Sequence, residues 1–326
     1  MRVPELLLRA ALAFVLASGG ISVVSAQTYP IRPIRLIVPF PPGGGTDTVA
    51  RIVSEKLTAA LGQQVIVENR AGAGGRIGTE FVARVAPDGY TVLLGSDSTM
   101  IAAPAIYPKL SYDPRRDFAP ISLLATTAYM LLVHPSVPAK SVRELLRLAK
   151  SQPGQLNYGS TGQGSAGHFG GELLQSLAGV KMVHVPYKGS APSLLALVQG
   201  ETDLMFNNFL VSLPLMKSNR VRSLGVSSLQ RSSLVPELPT MNESGLPGFE
   251  MQQFYMLLAP AGTSKDIVNR LNAEIVKSMP TEDTKRRLAS EGTEVTVSTP
   301  DELRKSMADR IEKWQEVAKR AGIKGE

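Results

Sequence analysis

Residues 34–38, IRLIV, form a short apolar run, the pattern of a buried strand. Beyond it, Val49, Ile52, Val53, Leu57, Ala60 and Leu61 fall on one face of a helix over residues 46–61, which Gly62 stops. Residues 64–68 predict a second strand, and residues 71–79 a glycine-rich turn. Ile77, Phe81, Val82 and Val85 then mark a helix that ends at Pro87-Asp88-Gly89, and residues 90–94 predict a third strand. Strands alternating with amphipathic helices predict an α/β fold, with a parallel sheet covered by helices on both faces.

The pattern restarts further on. Strands are expected at 130–133, 155–158, 203–206 and 222–226, with a strand and turn within 181–190. Helices are expected at 141–150, where Ser141 and Glu144 have capping-box spacing, from about 168 through 177, and at 192–198. Residues 235–248, rich in proline and glycine, read as a returning loop, and 252–258 as an extended apolar segment. Two helices close the chain, 265–279 and 301–320; the second has Thr299 as N-cap, Pro300 at its first position and acids in its first turn. Two α/β units followed by more α/β material predict a chain that leaves the first lobe near residue 126 and returns near 251. Lobe 1 is then 27–126 plus 251–326, and lobe 2 is 127–250, with two connecting segments hinging a cleft.

Composition narrows the function. The 326 residues are 43% hydrophobic and 19% charged, enough to bury sizeable cores. The net charge of +7 is scattered among acids, and its longest runs are Arg115-Arg116 and Lys285-Arg286-Arg287, so a solvated basic surface is expected and no nucleic-acid partner. The absence of cysteine excludes disulfides, thiol nucleophiles and thiolate metal sites. His134, His168 and His184 form no i, i+4 pair, so no metal site is expected. Arg2 and Arg9, the apolar run 10–17 and Val24-Ser25-Ala26 have the layout of a signal peptide over residues 1–26, removed before Gln27 on export to the periplasm.

The stretch VPFPPGGGTD, residues 38–47, raises the question of chemistry. No glycine is followed by Lys-Ser or Lys-Thr in the nucleotide-loop frame. The dinucleotide fingerprint begins at Gly72-Ala73-Gly74 but meets Ile77 where a glycine belongs. Ser160 and Ser165 lack the glycine that a nucleophile elbow requires two residues before them. What survives is physical: the first turn of a helix offers unpaired N–H groups and partial positive charge, which glycines let an anion approach. The chain builds such a start at 43–47 and again at 160–165. Two readings stay open: two anion cradles on opposing lobes, suited to a small diacid, or two tight α/β turns.

The segments YPIRPIRLIVPFPPGGGTDTVAR, VIVENRAGAGGRIGTE, APDGYTVLLG, LNYGSTGQGSAGHFGGELL, VHVPYKGSAPSLLALVQGETDLMF, PAGT and KWQEVAKRAGI, in that order over about residues 29–323, resemble the periplasmic receptors of tripartite tricarboxylate transporters, the Bug-type solute-binding proteins. The resemblance implies a type II periplasmic-binding-protein fold: two Rossmann-like lobes joined by two crossover strands. It implies capture of a small carboxylate between the lobes through backbone amides and bridging waters, without catalysis or cofactor. It implies a monomer whose partners are the membrane components of a transporter, or a sensor kinase.

Carried onto this chain, the resemblance implies a first-lobe cradle of Phe40, Gly43, Gly44 and Thr46, its loop preset by Pro39, Pro41 and Pro42. Asp47 is either a ligand contact or a cap that rigidifies the turn. Ala73 and Gly74 would hold water above the ligand, and Ser96 and Ser98 end the third strand, where α/β sheets place ligands. Ser160, Thr161 and Ser165 form the second cradle, with His168 in the following helical turn as a packing or contact residue and Tyr187 as a wall or phenolic donor. Many relatives carry an acid after LMF, where this chain has Asn207 and then Asn208; an amide supplies no counter-charge, so an amino-dicarboxylate is expected to bind less well than its deaminated analogue. A hydrolase using Ser160 or Ser165 with His168 is the competing expectation, and it lacks an elbow and an orienting acid.

Overall fold

The computed structural model describes residues 29–324 apart from residue 291. The signal peptide expected over 1–26 lies outside the described residues. The first lobe begins with β1 (Ile34–Val38), α1 (Gly45–Leu61), β2 (Val65–Asn69), α2 (Arg76–Arg84) and β3 (Thr91–Ser96). A π-helical turn at Ser98–Ala102 runs into the short α3 (Ala103–Ile106), and β4 (Phe118–Val133) then leads out of the lobe. The second lobe holds α4 (Val142–Ser151), β5 (Asn157–Ser160), α5 (Ala166–Ala178), β6 (Val183–Pro186), α6 (Ser190–Gln199), β7 (Leu204–Asn208), α7 (Phe209–Lys217) and β8 (Arg222–Val226). The chain returns as β9 (Gln252–Pro260) and ends with α8 (Lys265–Ser278), α9 (Glu282–Ala289), β10 (Glu294–Val295) and α10 (Pro300–Ala321).

Each lobe is parallel where helical crossovers connect its strands. β1 lies between β2 and β3, pairing Ile34 with Val65 and Leu36 with Val92. β5 lies between β6 and β7, pairing Tyr158 with His184 and with Leu204. The wholly parallel sheet expected from the alternation does not extend further: β9 runs antiparallel to both β3 and β4, and β4 runs antiparallel to β7 and β8. No crossover helix joins these pairs, so nothing requires them to be parallel.

β4 is the strand on which the two sheets meet. It pairs with β9 from Phe118 to Ala128, and with β7 from Tyr129 to Val133. The strand expected at 130–133 is therefore the end of one 16 residues long. Pro120 and two register shifts, at 120/122 and 123/125, broke the pattern by which the earlier part would have been read. Alternation along β4 distributes its side chains between cores: Leu131 and Val133 join a cluster that reaches Phe206 and Trp314, whereas Met130 and Leu132 pack with Met205 and Phe209. Helices α7 and α9 fall in segments for which no helix was expected. α10 begins as expected, with Thr299 and Glu302 forming a reciprocal capping box.

Candidate ligand-binding cleft

The first cradle is built by a carboxylate. Asp47, in the first turn of α1 and 3% exposed, accepts hydrogen bonds from the Gly43 amide at 3.0 Å and the Asn69 side-chain amide at 3.0 Å. Its other partner is Arg51 one turn on, at 2.8 Å. Burial alone would raise the Asp47 pKa, but these hydrogen bonds and the Arg51 charge outweigh it and hold the carboxyl below its ordinary value. These bonds fit Asp47 to the role of a residue that rigidifies the turn. Asp47 also consumes the Gly43 amide that was expected to face a ligand. Gly44, at the helix N-cap with exposed surroundings, lines none of the cavities described below.

A cavity of about 320 Å³ opens beside this turn. Phe40, Gly45, Thr46, Ser96 and Ser98 line it from the first lobe, and Asn208 at the end of β7 lines it from the second. Thr127, Tyr129, Gln253, Tyr255 and Thr293 complete the wall. The lining is hydroxyls, amides and aromatic rings; among the described residues no lysine, arginine or carboxylate contributes. Ser96 and Ser98 share a hydrogen bond at 2.8 Å across the end of β3. The start of α1 adds the unpaired amides of its first turn.

Ala73 and Gly74 are exposed and line no described cavity. Their turn touches the site through the next residue: a Cβ on Gly75 would lie 2.9 Å from the Phe40 ring, so only glycine lets Phe40 pack there. A second, smaller cavity of about 110 Å³ adjoins the first across Ser98, Tyr129 and Gln253, which line both. Ser165, the N-cap of α5, lines this second cavity and accepts from the His168 amide at 3.4 Å.

Ser160 and His168 line neither of these cavities. Ser160 is fully buried and its hydroxyl shares a 2.7 Å hydrogen bond with His184, not His168. The His168 and His184 rings stack at 3.8 Å with 6° between planes, and His184 stacks in turn on Tyr158 at 4.9 Å. His168 Nδ1 accepts from the Gly164 amide at 3.1 Å, which places the neutral ring's proton on Nε2. Neither Ser160 nor Ser165 meets the His168 ring, so the serine–His168 pairing expected of a hydrolase is not built; Ser160 meets His184 instead. Thr161 and Tyr187 are half-buried and line neither cavity; the Tyr187 amide donates to the Ser160 carbonyl at 3.0 Å, which holds the turn closed. Asn207 is buried behind Asn208, its carbonyl accepting from the Asn208 amide at 2.9 Å.

The family model of the tripartite tricarboxylate transporter family receptor matches residues 49–323. The chain belongs to that family. This receptor is 37% identical over 319 residues to Protein BugT of Bordetella pertussis, covering 97% of this chain and 98% of that one. It is 35% identical to R. palustris Rpa4515, solved with adipate, with a TM-score of 0.73 and coverage of 91% and 99% of the two chains. It is also 35% identical to MatC (Rpa3494) from Rhodopseudomonas palustris, solved with bound malate, with a TM-score of 0.69 over 89% and 99%. As a member, the receptor is a periplasmic solute-binding protein of the type II two-lobed fold, in a family that binds rather than converts its ligands. Among the lining residues that sequence reasoning missed, Thr127, Tyr129 and Gln253 lie on β4 and β9, and Gly45 and Thr293 lie elsewhere; Thr127 and Tyr129 share one side of β4, but only the pairing with β9 reveals which side faces the cleft.

Proposed function

We propose that this receptor captures a small carboxylate in the cavity between Thr46 and Asn208 and presents it to the membrane components of a tripartite tricarboxylate transporter. The observation that carries this reading is the chemistry of the cavity: hydroxyl and amide donors from both lobes, the start of α1, and no cation among the lining residues described. Such a site holds an anion by neutral, preoriented dipoles, and its selectivity follows the geometry of those donors rather than net charge. The adipate and malate complexes of the two relatives support a diacid or hydroxyacid as ligand. Donors contributed by both lobes favour a closed state that the ligand bridges. On this reading the receptor acts as a monomer and residues 1–26 direct its export, and mass spectrometry of the exported protein should place its first residue at Gln27.

The test is a thermal-shift screen of di- and monocarboxylates on ligand-stripped protein, followed by calorimetry. A binder present at about a hundredfold its Kd adds about 2.7 kcal/mol, raising the melting temperature by roughly 5–10 °C. Thr46→Val and Ser96→Ala each weaken the best ligand by about tenfold, the worth of one hydrogen bond to a charged group. A panel without a single stabilising carboxylate, or a ligand indifferent to both substitutions, would overturn the assignment.

A further inference from the structure

The smaller cavity carries chemistry that an anion cradle does not use. Its walls include Tyr129, Phe169, Met251 and Trp314, with Asp97 among them. Two polar atoms of opposite kind are buried here without a hydrogen-bond partner among the described residues: the Asp97 Oδ1 acceptor and the Trp314 Nε1 donor. Buried polar atoms are nearly always paired, so an orphaned donor and an orphaned acceptor on two residues that line one cavity point to a group that arrives from outside and reaches them by a small shift of either side chain. The cavity adjoins the main cleft across Ser98, Tyr129 and Gln253, so one ligand can occupy both.

We propose that this cavity is a second subsite, which receives a neutral hydroxyl at the far end of the carboxylate ligand; the assignment rests on the carboxylate reading above. A hydroxyl satisfies both orphans at once, donating to Asp97 and accepting from Trp314. A carboxylate end meets the like charge of Asp97, with Glu250 acting in the same sense. An ammonium end finds the Asp97 charge already acted on by Arg310, and cannot accept from the Trp314 N–H. A methyl end leaves both polar atoms unpaired. The apolar remainder, Phe169 and Met251, suits a methylene chain leading to the hydroxyl.

The experiment is calorimetry at pH 7.5 with two series of matched length: butanoate, 4-hydroxybutanoate, 4-aminobutanoate and succinate, then hexanoate, 6-hydroxyhexanoate, 6-aminohexanoate and adipate. The hydroxyl member of one series binds at least tenfold tighter than its three companions. Trp314→Phe, which removes the N–H together with the pyrrole half of the indole, and Asp97→Ala each reduce that preference to threefold or less while plain carboxylate binding persists. Equal binding of hydroxyl and methyl members overturns the subsite alone. Tightest binding by an amino member shows a cation site instead, and tightest binding by a dicarboxylate shows a proton shared with Asp97; either overturns the hydroxyl assignment. Failure of all eight to bind overturns the carboxylate reading and the subsite with it.

Discussion

Lowering the pH from 7.5 to 5 should destabilise this receptor through two stacked rings. His168 and His184 lie face to face at 3.8 Å, and burial pushes both down from 6.5 to about 4, the neighbouring ring adding to the effect at His168. A ring whose folded-state pKa is depressed binds its proton more readily in the unfolded chain. Its stabilisation is therefore complete above pH 6.5 and is lost as the pH falls toward 4. At pH 5 a ring shifted this far forfeits about 2 kcal/mol. His168 is 6% exposed and carries that in full; His184 is only half-buried, and solvent screening reduces its share to about half. The pair together loses about 3 kcal/mol, roughly 5–10 °C in melting temperature for a chain of this size. Glu172, with Oε1 4.0 Å from His168 Nε2, moderates the loss by favouring the charged ring. Asp97 works in the opposite direction: burial pushes its carboxyl up to about 6, so it takes up a proton in the folded state and steadies it as the pH falls from 6. Comparing wild type with His184→Phe removes that contribution, because Asp97 is common to both. The assay is urea unfolding at half-unit pH steps. Wild type should lose stability over this window more steeply than the variant, by about 1 kcal/mol or more, the share assigned to His184. Parallel pH profiles, or a nuclear magnetic resonance titration placing both midpoints near 6.5, would refute the argument.

The remaining predictions concern packing and the first cradle. A Cβ on Gly171 would lie 2.2 Å from the ring of Tyr158, which is 1% exposed, so Gly171→Ala should lower stability by about 1–3 kcal/mol; an unchanged urea midpoint would contradict that packing. Asp47→Ala strands the Gly43 amide and the Asn69 side chain, with an expected loss of about 1–3 kcal/mol together with weaker carboxylate binding, measured by thermal melts and calorimetry. Thr299→Ala removes one half of the α10 capping box and should lower the unfolding free energy by about 1 kcal/mol without changing ligand affinity.

Much of the fold was legible because the crossover units announce themselves by period. β1 is buried along almost its whole length and α1 buries the expected Val49, Ile52, Val53 and Leu57, and Gly62 ends α1 in the left-handed conformation that the sequence pattern anticipates; in α2, by contrast, only Val82 of the expected stripe is buried and Ile77 is exposed. β4 was not legible, since a strand buried along nearly its whole length shows no alternation, and Pro120 interrupts the run. The candidate site divided in the same way. Thr46 and Ser165 sit beside glycine-rich turns, Ser96 and Ser98 sit at the end of β3, and all four line the cavities. Asp97, Tyr129, Gln253 and Trp314 arrive from strands and helices far apart in sequence, where nothing local distinguishes a cleft-facing residue from a core one. The Asn208 position illustrates the limit: its neighbour Asn207 drew attention by standing where many relatives carry an acid, yet strand alternation turns Asn207 into the interior and Asn208 toward the cavity.

The change of partners within β4 has a mechanical corollary. Because one unbroken strand belongs to both sheets, Ala128 and Tyr129 are phase-locked: the side of the strand that each lobe sees is set by the same two-residue repeat. Deleting one residue at this junction would invert the facing of every side chain beyond it, exchanging Met130 and Leu132 with Leu131 and Val133 while leaving each lobe's own crossovers intact. A homologue could therefore lengthen its surface loops freely, but could alter this junction by a single residue only with a compensating bulge of the kind β4 already carries.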